Sequence, residues 1–327
     1  MPNDKRLQQL HNWLNGCLNI SDYQLHPASG DASFRRYFRL NHNGHSYIIM
    51  DAPPDKENSL PFVEISKVLI NVGLNVPEVL EQDLDQGFLL LTDLGQQQYL
   101  EVLNSENADR MYGDAMDVLL RLQACSDIHY KFPLYNTELL LAEMELFRSW
   151  LINKHLDIEL TNKEQDMLNK SFKWLCDSAI AQPQVPVHRD YHSRNLMFDE
   201  VRNPGILDFQ DAVLGPVTYD LVSLLRDCYI EWPREQVESW VTQYHERAVQ
   251  AGVVREENES QFLRWFDLMG LQRHLKAAGI FARLKYRDDK PGYLADIPRT
   301  LGYIIEVSGR YPELKALHNF LSEKVNM

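Results

Sequence analysis

Apolar residues near the start of the chain recur at two different spacings. In residues 4–15 they lie three and four positions apart, which predicts an amphipathic helix with one buried face. Residues 34–40 (FRRYFRL) and 45–51 (HSYIIMD) instead predict two strands, because both are rich in aromatic or branched residues and the turn-forming segment 41–44 separates them. The chain is therefore expected to open with a helix and a hairpin.

The strand-rich character continues to about residue 95. Residues 61–71 predict one interior helix, and Pro77 opens a further extended segment. The apolar run at 88–95 (FLLLTDLG) predicts a buried strand that ends in a turn. We interpret residues 1–95 as one small subdomain.

Beyond residue 95 the apolar spacing becomes helical. Helices are predicted over 106–125, 137–154, 162–181 and much of 217–325. An irregular polar insert at 185–209 interrupts them, with two short apolar runs at 195–198 and 205–209. The pattern predicts an α+β fold with a small β-rich lobe at residues 1–95 and a larger, mainly helical lobe at 96–327.

Composition limits the kinds of molecule that the protein is expected to bind. The formal net charge is −14, from 33 basic and 47 acidic residues, which disfavours binding to nucleic acid or to anionic lipid. No apolar run has the length of a membrane span, and the N-terminus lacks the apolar segment of a signal peptide, so we expect a cytoplasmic protein without a membrane partner. The four scattered cysteines fit free thiols. Oligomeric state is not predicted.

The polar insert carries the candidate chemistry. A loop at 188–195 reads HRDYHSRN, and a segment at 206–211 reads ILDFQD after a short apolar run. Phosphoryl transfer requires a carboxylate to orient the attacking hydroxyl and accept its proton, which Asp190 would supply. It also requires hard oxygen ligands for the Mg²⁺ of the nucleotide, for which Asn195 and Asp208 are suited.

The spacing of these residues matches the catalytic loop and metal-binding segment of protein kinases. Asp and Asn are also common in turns and helix caps, so either motif alone would be weak evidence. Here the loop spacing is right, the second Asp follows a hydrophobic strand, and a strand-rich lobe precedes both motifs. Their agreement favours a kinase with ATP and Mg²⁺ as cofactors. His188 fits a structural role, and His192 is left without a role.

At these residues the chain resembles the aminoglycoside phosphotransferase-like superfamily of small-molecule kinases. VPVHRDYHSRNLMF and ILDFQDAVLGPVTYDLVSLL are similar to its catalytic and metal-binding segments. The resemblance implies a protein-kinase-like bilobal fold, with Asp190 as catalytic base and Asn195 and Asp208 as Mg²⁺ ligands. It also implies that Asp220 braces the catalytic loop.

Three further segments, ASGDASFRRYFRL, MDAPP and GFLLLTDLG, resemble one branch of that superfamily, the bacterial kinases of N-acetylmuramate and N-acetylglucosamine in cell-wall recycling. What this implies is ATP-dependent phosphorylation of the anomeric hydroxyl to the sugar 1-phosphate. The alternatives are a kinase of another small molecule, such as an aminoglycoside, choline, homoserine or another sugar, and a non-catalytic nucleotide-binding scaffold.

The nucleotide-binding region departs from the wider kinase pattern. No Gly-rich loop is present, and the predicted phosphate-covering turn consists of Ser29, Gly30, Asp31, Ala32 and Ser33, whose backbone amides suit phosphate oxygens.

Met50 stands where kinases place a phosphate-binding lysine. Arg36 is the predicted substitute, and as an arginine on an apolar face it should have a partner. Surface solvation accounts for Arg35 and Arg39, and Glu64 occupies the place of the kinase partner glutamate.

Thr92, Asp93 and Leu94 are predicted to present backbone groups to adenine, by resemblance to the family hinge.

The sugar is expected to contact the helical lobe and its insert. The candidate contacts are Asp211, Arg226, Arg273 and His274. Amphipathic spacing around residues 271–287 favours a solvated face for the cations there, including Lys276 and Arg283. A lactyl carboxylate on the substrate should nevertheless pair with one of these cations.

Overall fold

The structure, a computed structural model, describes residues 4–18, 22–30, 34–125, 130–255 and 259–325. It forms two compact units. Unit 1 comprises residues 1–97, 128–130 and 197–211, and unit 2 comprises residues 98–127, 131–196 and 212–327. The first boundary between the units follows residue 97, two residues from the predicted domain boundary at residue 95. The structure also assigns 197–211, and with it the predicted metal segment, to unit 1.

Unit 1 is built on a five-stranded antiparallel sheet in the order β1-β2-β3-β5-β4. Its strands are β1 (Gln24–Gly30), β2 (Arg36–His42), β3 (His45–Asp51), β4 (Val79–Asp83) and β5 (Phe88–Thr92). Its helices are α1 (Lys5–Leu18) and α2 (Leu60–Asn71). The predicted helices and strands are confirmed, whereas β1 was missed because QLHPASG has little apolar alternation.

The β2–β3 hairpin shows how local sequence sets the register of the sheet. Asn43 and Gly44 both have positive φ, 50° and 78°, which is the geometry of a two-residue hairpin turn and suits Asn-Gly. The hairpin then pairs Arg36 with Asp51 at its open end. This register places two oppositely charged residues side by side.

The core of unit 1 lies between α1 and one face of the sheet. Its fully buried members are Leu10, Leu14, Leu40, Ile49, Phe88 and Leu90. Asp4 begins α1 by accepting hydrogen bonds from the backbone N–H groups of Arg6 and Leu7, both at 3.1 Å. Met50 is fully buried in β3, so the position that kinases give to lysine contributes to packing here.

Unit 2 is mainly helical. Its helices are α3 (Tyr99–Val102), α4 (Ala108–Gln123), α5 (Thr137–Leu146), α6 (Asn162–Ile180), α7 (Tyr219–Leu225), α8 (Arg234–Gln250), α9 (Glu259–Asp288), α10 (Ile297–Arg310) and α11 (Lys315–Lys324). A π-helical stretch, Phe147–His155, continues α5, and 3₁₀ turns occur at Pro291–Asp296 and Pro312–Leu314. β6 (Gln184–Val187) pairs with β9 (Val213–Pro216). Short strands β7 (Leu196–Met197) and β8 (Gly205–Ile206) occupy the polar insert.

The 30-residue helix α9 is the centre of unit 2. It packs against α5, α6, α7, α10 and the π-helical stretch. At Gly279 a Cβ atom would lie 2.3 Å from the carbonyl carbon of Leu146, so only glycine permits this close approach. Within the described ranges, no helix has the length and apolar content needed to cross a membrane.

Candidate active site

The loop that follows β6 is held by a buried carboxylate. Asp220, in the first turn of α7, accepts hydrogen bonds from the backbone N–H groups of His188 (2.6 Å) and Arg189 (2.9 Å). Arg189 has φ of +80°, a strained conformation for a residue with a side chain. Burial raises the pKa of Asp220 to about 6, although His188 opposes the shift. The predicted bracing role of Asp220 is confirmed.

The loop also curls on itself. His192 N–H donates to the Asp190 carbonyl at 3.0 Å, and Asn195 N–H donates to the His192 carbonyl at 2.9 Å. The Asn195 side-chain amide donates to the Asp190 carbonyl at 3.0 Å. These bonds fix the position of Asp190 relative to Asn195.

A second buried carboxylate holds the far half of the loop. Asp227 accepts hydrogen bonds from the backbone N–H of Ser193 at 3.0 Å and from its hydroxyl. Its other oxygen accepts from Tyr229 N–H at 3.0 Å. Asp227 was not among the predicted residues, because one acid in an apolar stretch after α7 gives no motif.

Asp190 opens onto a cavity within unit 2. The lining residues are Asp190, His192, Tyr219, Cys228, Tyr229, Arg273, Lys276, Ala277, Ile280 and Phe281. Half of them come from α9 at intervals of one, three and four residues, so one face of that helix forms a wall. The wall is cationic at its N-terminal end and apolar at its C-terminal end.

The cations around the cavity keep Asp190 ionised. Burial works to raise the pKa of Asp190, but Lys276, His192, Arg273 and Arg189 outweigh it and lower the pKa to about 2. Burial lowers the pKa of His192 below its ordinary value, although Asp227 and Asp190 oppose the shift. Asp190 therefore presents a carboxylate that can accept a hydrogen bond from a hydroxyl.

Glu143 on α5 ties two of these cations together. Its carboxylate pairs with the guanidinium of Arg189 and lies 3.0 Å from the Lys276 ammonium. Tyr135 donates its hydroxyl to the same carboxylate, and Lys276 donates to the Tyr219 hydroxyl at 3.1 Å. Burial raises the pKa of Glu143, but Lys276 and Arg189 outweigh it, so the group is ionised. Lys276 is thus held in place beside the cavity.

The predicted sugar contacts have different surroundings. Arg273 lines the cavity. Arg226 pairs with Glu306 and is not part of the lining. His274 donates from Nε2 to the Arg226 carbonyl at 2.8 Å and is also outside the lining. Asp211 is an exposed residue of unit 1.

The expectation of a solvated face on α9 was wrong for Arg273, His274 and Lys276, all of which are buried. The amphipathic rule assumes one exposed face, but α9 is surrounded by other helices. Sequence reasoning also gave no role to Tyr219, Tyr229 and Phe281. Only Phe281 lies on α9; Tyr219 begins α7 and Tyr229 follows that helix, so no shared motif marks the three residues.

In unit 1 the predicted nucleotide contact Arg36 is paired with carboxylates of the same unit. Arg36 has the partner that was predicted: it donates to Asp51 at 2.9 Å and also pairs with Asp4. Ser29 and Gly30 end β1, opposite Tyr37 and Arg36. The remaining predicted contacts in that turn, Asp31, Ala32 and Ser33, lie outside the described residues.

The predicted adenine hinge is braced by an ion pair. Arg39 donates to Asp93 at 2.6 Å and to the Gly95 carbonyl at 2.8 Å, and Ser46 also donates to Asp93. Burial raises the pKa of Asp93, but these hydrogen bonds outweigh it and lower the pKa below its ordinary value. Thr92 accepts from the Glu78 N–H through its hydroxyl. Arg39 therefore has a structural partner instead of the solvated role expected for it.

Leu94, the third predicted hinge residue, packs against Gly205, where a Cβ atom would lie 3.0 Å from a Leu94 methyl carbon. Arg35 pairs with Glu57 at 3.1 Å, so solvation does not account for it either. Glu64 is exposed on α2.

Asp208 lies in unit 1, directly after β8. Its φ is +64°, and its carboxylate accepts a hydrogen bond from Gln210 at 2.6 Å. The next residue, Phe209, is fully buried against Phe62 of α2 with ring centroids 4.8 Å apart. The packed phenylalanine therefore fixes the backbone that carries Asp208.

The predicted Mg²⁺ ligands are Asn195 of unit 2 and Asp208 of unit 1. Asn195 and Asp208 offer an amide and a carboxylate oxygen, the hard donors that Mg²⁺ prefers. Over the described residues there is no cluster of three or more His, Cys, Asp or Glu side chains suited to a metal. Mg²⁺ commonly takes one or two protein ligands together with phosphate oxygens and water, and these two residues are of that kind.

Two solved structures have the same fold as this chain. ADP-bound aminoglycoside phosphotransferase APH(2'')-Ib covers 93% of this chain with 99% of its own length, at a TM-score of 0.60 and 18% identity. The choline kinase LicA from Streptococcus pneumoniae covers 92% of this chain with 99% of its own length, at a TM-score of 0.61 and 12% identity. The fold is that of the small-molecule kinases, and the predicted α+β, protein-kinase-like class is confirmed.

The family follows from the sequence itself. The model of the phosphotransferase enzyme family matches residues 24–256. The chain belongs to this family and is a kinase that phosphorylates a hydroxyl group.

Curated relatives are similar over nearly their whole length. One from Pseudomonas putida is 47% identical over 98% of this chain and 97% of its own, and one from Neisseria meningitidis is 44% identical over 98% of this chain and 96% of its own. Both are N-acetylmuramate/N-acetylglucosamine kinases.

Proposed function

We propose that this protein transfers the γ-phosphate of ATP to the anomeric hydroxyl of N-acetylmuramate and N-acetylglucosamine, giving the sugar 1-phosphates. The observation that carries the proposal is the Asp190 carboxylate, ionised and held by a braced loop at the edge of a partly aromatic cavity. The near full-length similarity to kinases of these two sugars supports the choice of acceptor.

In this reaction Asp190 accepts a hydrogen bond from the anomeric hydroxyl and receives its proton as the oxygen bonds to the γ-phosphorus. The bond from that phosphorus to the β–γ bridging oxygen breaks, and ADP leaves. An anomeric hydroxyl is more acidic than an ordinary alcohol, so a carboxylate of low pKa suffices. General-base catalysis of this kind contributes roughly 10²–10⁴-fold.

Asn195 and Asp208 are the proposed protein ligands of Mg²⁺. When bound, this ion neutralises charge on the nucleotide phosphates and holds them for transfer. The backbone of Ser29 and Gly30 and the hinge residues Thr92, Asp93 and Leu94 are the proposed contacts to ATP.

The cavity suits a sugar because its walls combine charged and aromatic groups. Tyr229 and Phe281, whose ring centroids lie 6.1 Å apart, give the wall an aromatic surface, and the Arg194 guanidinium lies 3.7 Å over the Tyr229 ring. His192 packs edge-on against Tyr229 at 5.4 Å and can exchange a hydrogen bond with a hydroxyl. Since the reaction consumes ATP, we place it in the cytoplasm, within cell-wall recycling.

The test is a ³¹P NMR assay with MgATP and a panel of acceptors. A sugar 1-phosphate resonance that appears with N-acetylglucosamine and N-acetylmuramate is the expected result. Phosphate on choline, homoserine or an aminoglycoside, with no anomeric product, would overturn the choice of acceptor. Nucleotide binding without turnover on any acceptor would show a non-catalytic scaffold.

A further inference from the structure

Arg273 is a buried cation that the carboxylates of Asp190 and Asp227 influence only from beyond ion-pairing distance. Its side chain lines the cavity, and the residue is 5% exposed. Within the described part of the chain, no carboxylate lies within ion-pairing distance of its guanidinium, and its Nε has no hydrogen-bond partner. A buried charge without a partner is costly unless a ligand supplies one.

Lys276 provides the contrast, one turn along the same face of α9. It is 8% exposed and also lines the cavity, but it is paired with Glu143 at 3.0 Å and bonded to Tyr219. The fold thus gives Lys276 a carboxylate partner at ion-pairing distance and, among the described residues, gives none to Arg273.

The nearest polar contact of Arg273 does not replace a carboxylate. Its Nη1 lies 3.8 Å from the Cys228 sulfur. Burial raises the pKa of Cys228 above its ordinary value, so at neutral pH this group is an uncharged thiol. The guanidinium therefore keeps a full positive charge and donors that can reach an anion in the cavity.

We propose that Arg273 binds the lactyl carboxylate of N-acetylmuramate and so determines the selectivity between the two acceptors; this inference rests on the proposed function. The two sugars differ in this acidic group, which is present in N-acetylmuramate and absent from N-acetylglucosamine. A planar guanidinium with several N–H donors matches a carboxylate in geometry and charge. The carboxylate of Asp190 borders the same cavity, and Arg273 offsets its repulsion of an acidic sugar.

The experiment measures kcat/KM for three acceptors: N-acetylmuramate, its neutral carboxamide and N-acetylglucosamine. They are compared in the wild type, in Arg273→Gln and in Arg273→Lys. Arg283→Gln is the matched control, since Arg283 is on the same helix but does not line the cavity.

The wild type should prefer the acid to its carboxamide. Arg273→Gln should reduce the ratio of kcat/KM for N-acetylmuramate to that for N-acetylglucosamine by at least ~30-fold, the scale for removing one partner of a buried charge pair. Arg273→Lys should recover part of this ratio, because it restores charge without the planar fork. Arg283→Gln should leave the ratio unchanged.

Two results would overturn the inference. Equal losses for both sugars in Arg273→Gln would show that the guanidinium contacts the transferred phosphoryl group or supports Asp190. If the wild type has equal kcat/KM for the acid and the carboxamide, the carboxylate is not bound. This comparison uses only the wild-type protein, so it does not depend on the folding of a variant. If the wild type phosphorylates neither sugar, the proposed function itself fails.

Discussion

The arginines of β2 in unit 1 and the cations of α9 in unit 2 differ in how they pair with carboxylates and in how deeply they are buried. Arg36 and Arg39 lie on β2, and they are bound by the carboxylates of Asp51 and Asp93, respectively. Arg273 and Lys276 lie on a central helix and are more deeply buried than Arg36, whose side chain is 39% exposed. Only Lys276 of the α9 pair has a carboxylate partner among the described residues.

We infer from this difference that a cation is available to bind a ligand where the fold gives it no carboxylate partner. The hairpin register places Asp51 opposite Arg36, whereas Arg39 reaches Asp93, which follows β5. The α9 cations face a cavity that Asp190 enters from another segment, and this arrangement depends on contacts distant in sequence. The predictions below test each half of the contrast.

The largest effect is expected at the carboxylate that the α9 cations surround. Asp190→Asn removes the proton acceptor and keeps the side-chain shape, so kcat should fall by at least ~100-fold, equivalent to about 2.7 kcal/mol, with nucleotide affinity nearly unchanged. Steady-state kinetics with N-acetylglucosamine and titration of ATP binding measure the two quantities.

The exposed Asp166→Asn on α6 is the control for that substitution, and its kcat should equal that of the wild type. An unchanged kcat in Asp190→Asn would remove Asp190 from the mechanism.

Next in size is the loss of a paired cation from α9. Lys276→Met leaves the buried Glu143 with Arg189 as its remaining ion-pair partner, and unfolding free energy should fall by about 2–3 kcal/mol, below the usual cost of a fully unpaired charge. Urea denaturation at pH 7.5 measures it. A variant as stable as the wild type would mean that Glu143 is not held by both cations.

The neighbour of Arg273 gives a pH-dependent prediction. Burial lowers the pKa of His274 from 6.5 to about 3, because protonation would place an N–H on a buried Nδ1 that has no hydrogen-bond partner. The unfolded chain therefore binds a proton as pH falls below 6.5 while the folded protein does not, and stability rises with pH from about 3 to 6.5. This single group should cost about 2 kcal/mol at pH 5 relative to pH 7.5.

His274→Gln keeps a side-chain N–H near the Arg226 carbonyl and removes the titration. Its loss of stability between pH 7.5 and pH 5, measured by urea denaturation, should be smaller than that of the wild type by the same ~2 kcal/mol. The exposed His45→Gln is the matched control. Parallel pH profiles for the wild type and His274→Gln would contradict the neutral, buried state of this ring.

Much of the fold could be predicted because its elements have strong local patterns. The α1 spacing, the Asn43-Gly44 turn and the apolar run of β5 all depend on nearby residues. The strand β1 was missed because its pairing with β2 is a tertiary contact that QLHPASG does not encode locally. The residues 197–211 were placed with the helical lobe because chain order does not reveal which unit a hairpin packs against.

Sequence reasoning proposed site residues where chemistry requires a fixed spacing. Asp190, Asn195 and Asp208 follow from two motifs, and the bracing by Asp220 followed from the family resemblance. Glu143, Asp227 and the aromatic wall come from separate elements and have no motif. Their roles depend on which residues become buried. The sequence does not reveal this for a helix that is surrounded by other helices.

The smallest effect tests the β2 half of the contrast. Arg36→Met removes one of two arginines from Asp51, as Lys276→Met removes one of two cations from Glu143, but Arg6 stays 2.7 Å from Asp51 and Arg36 is partly solvated. Stability should therefore fall by about 1 kcal/mol or less, as for other exposed pairs. Since Arg36 is held by Asp4 and Asp51, the KM for ATP should change less than twofold, roughly the limit of a residue without phosphate contact. A KM raised several-fold at unchanged stability would instead establish Arg36 as the substitute for the lysine missing at Met50, and the contrast between the two arginine environments would no longer hold.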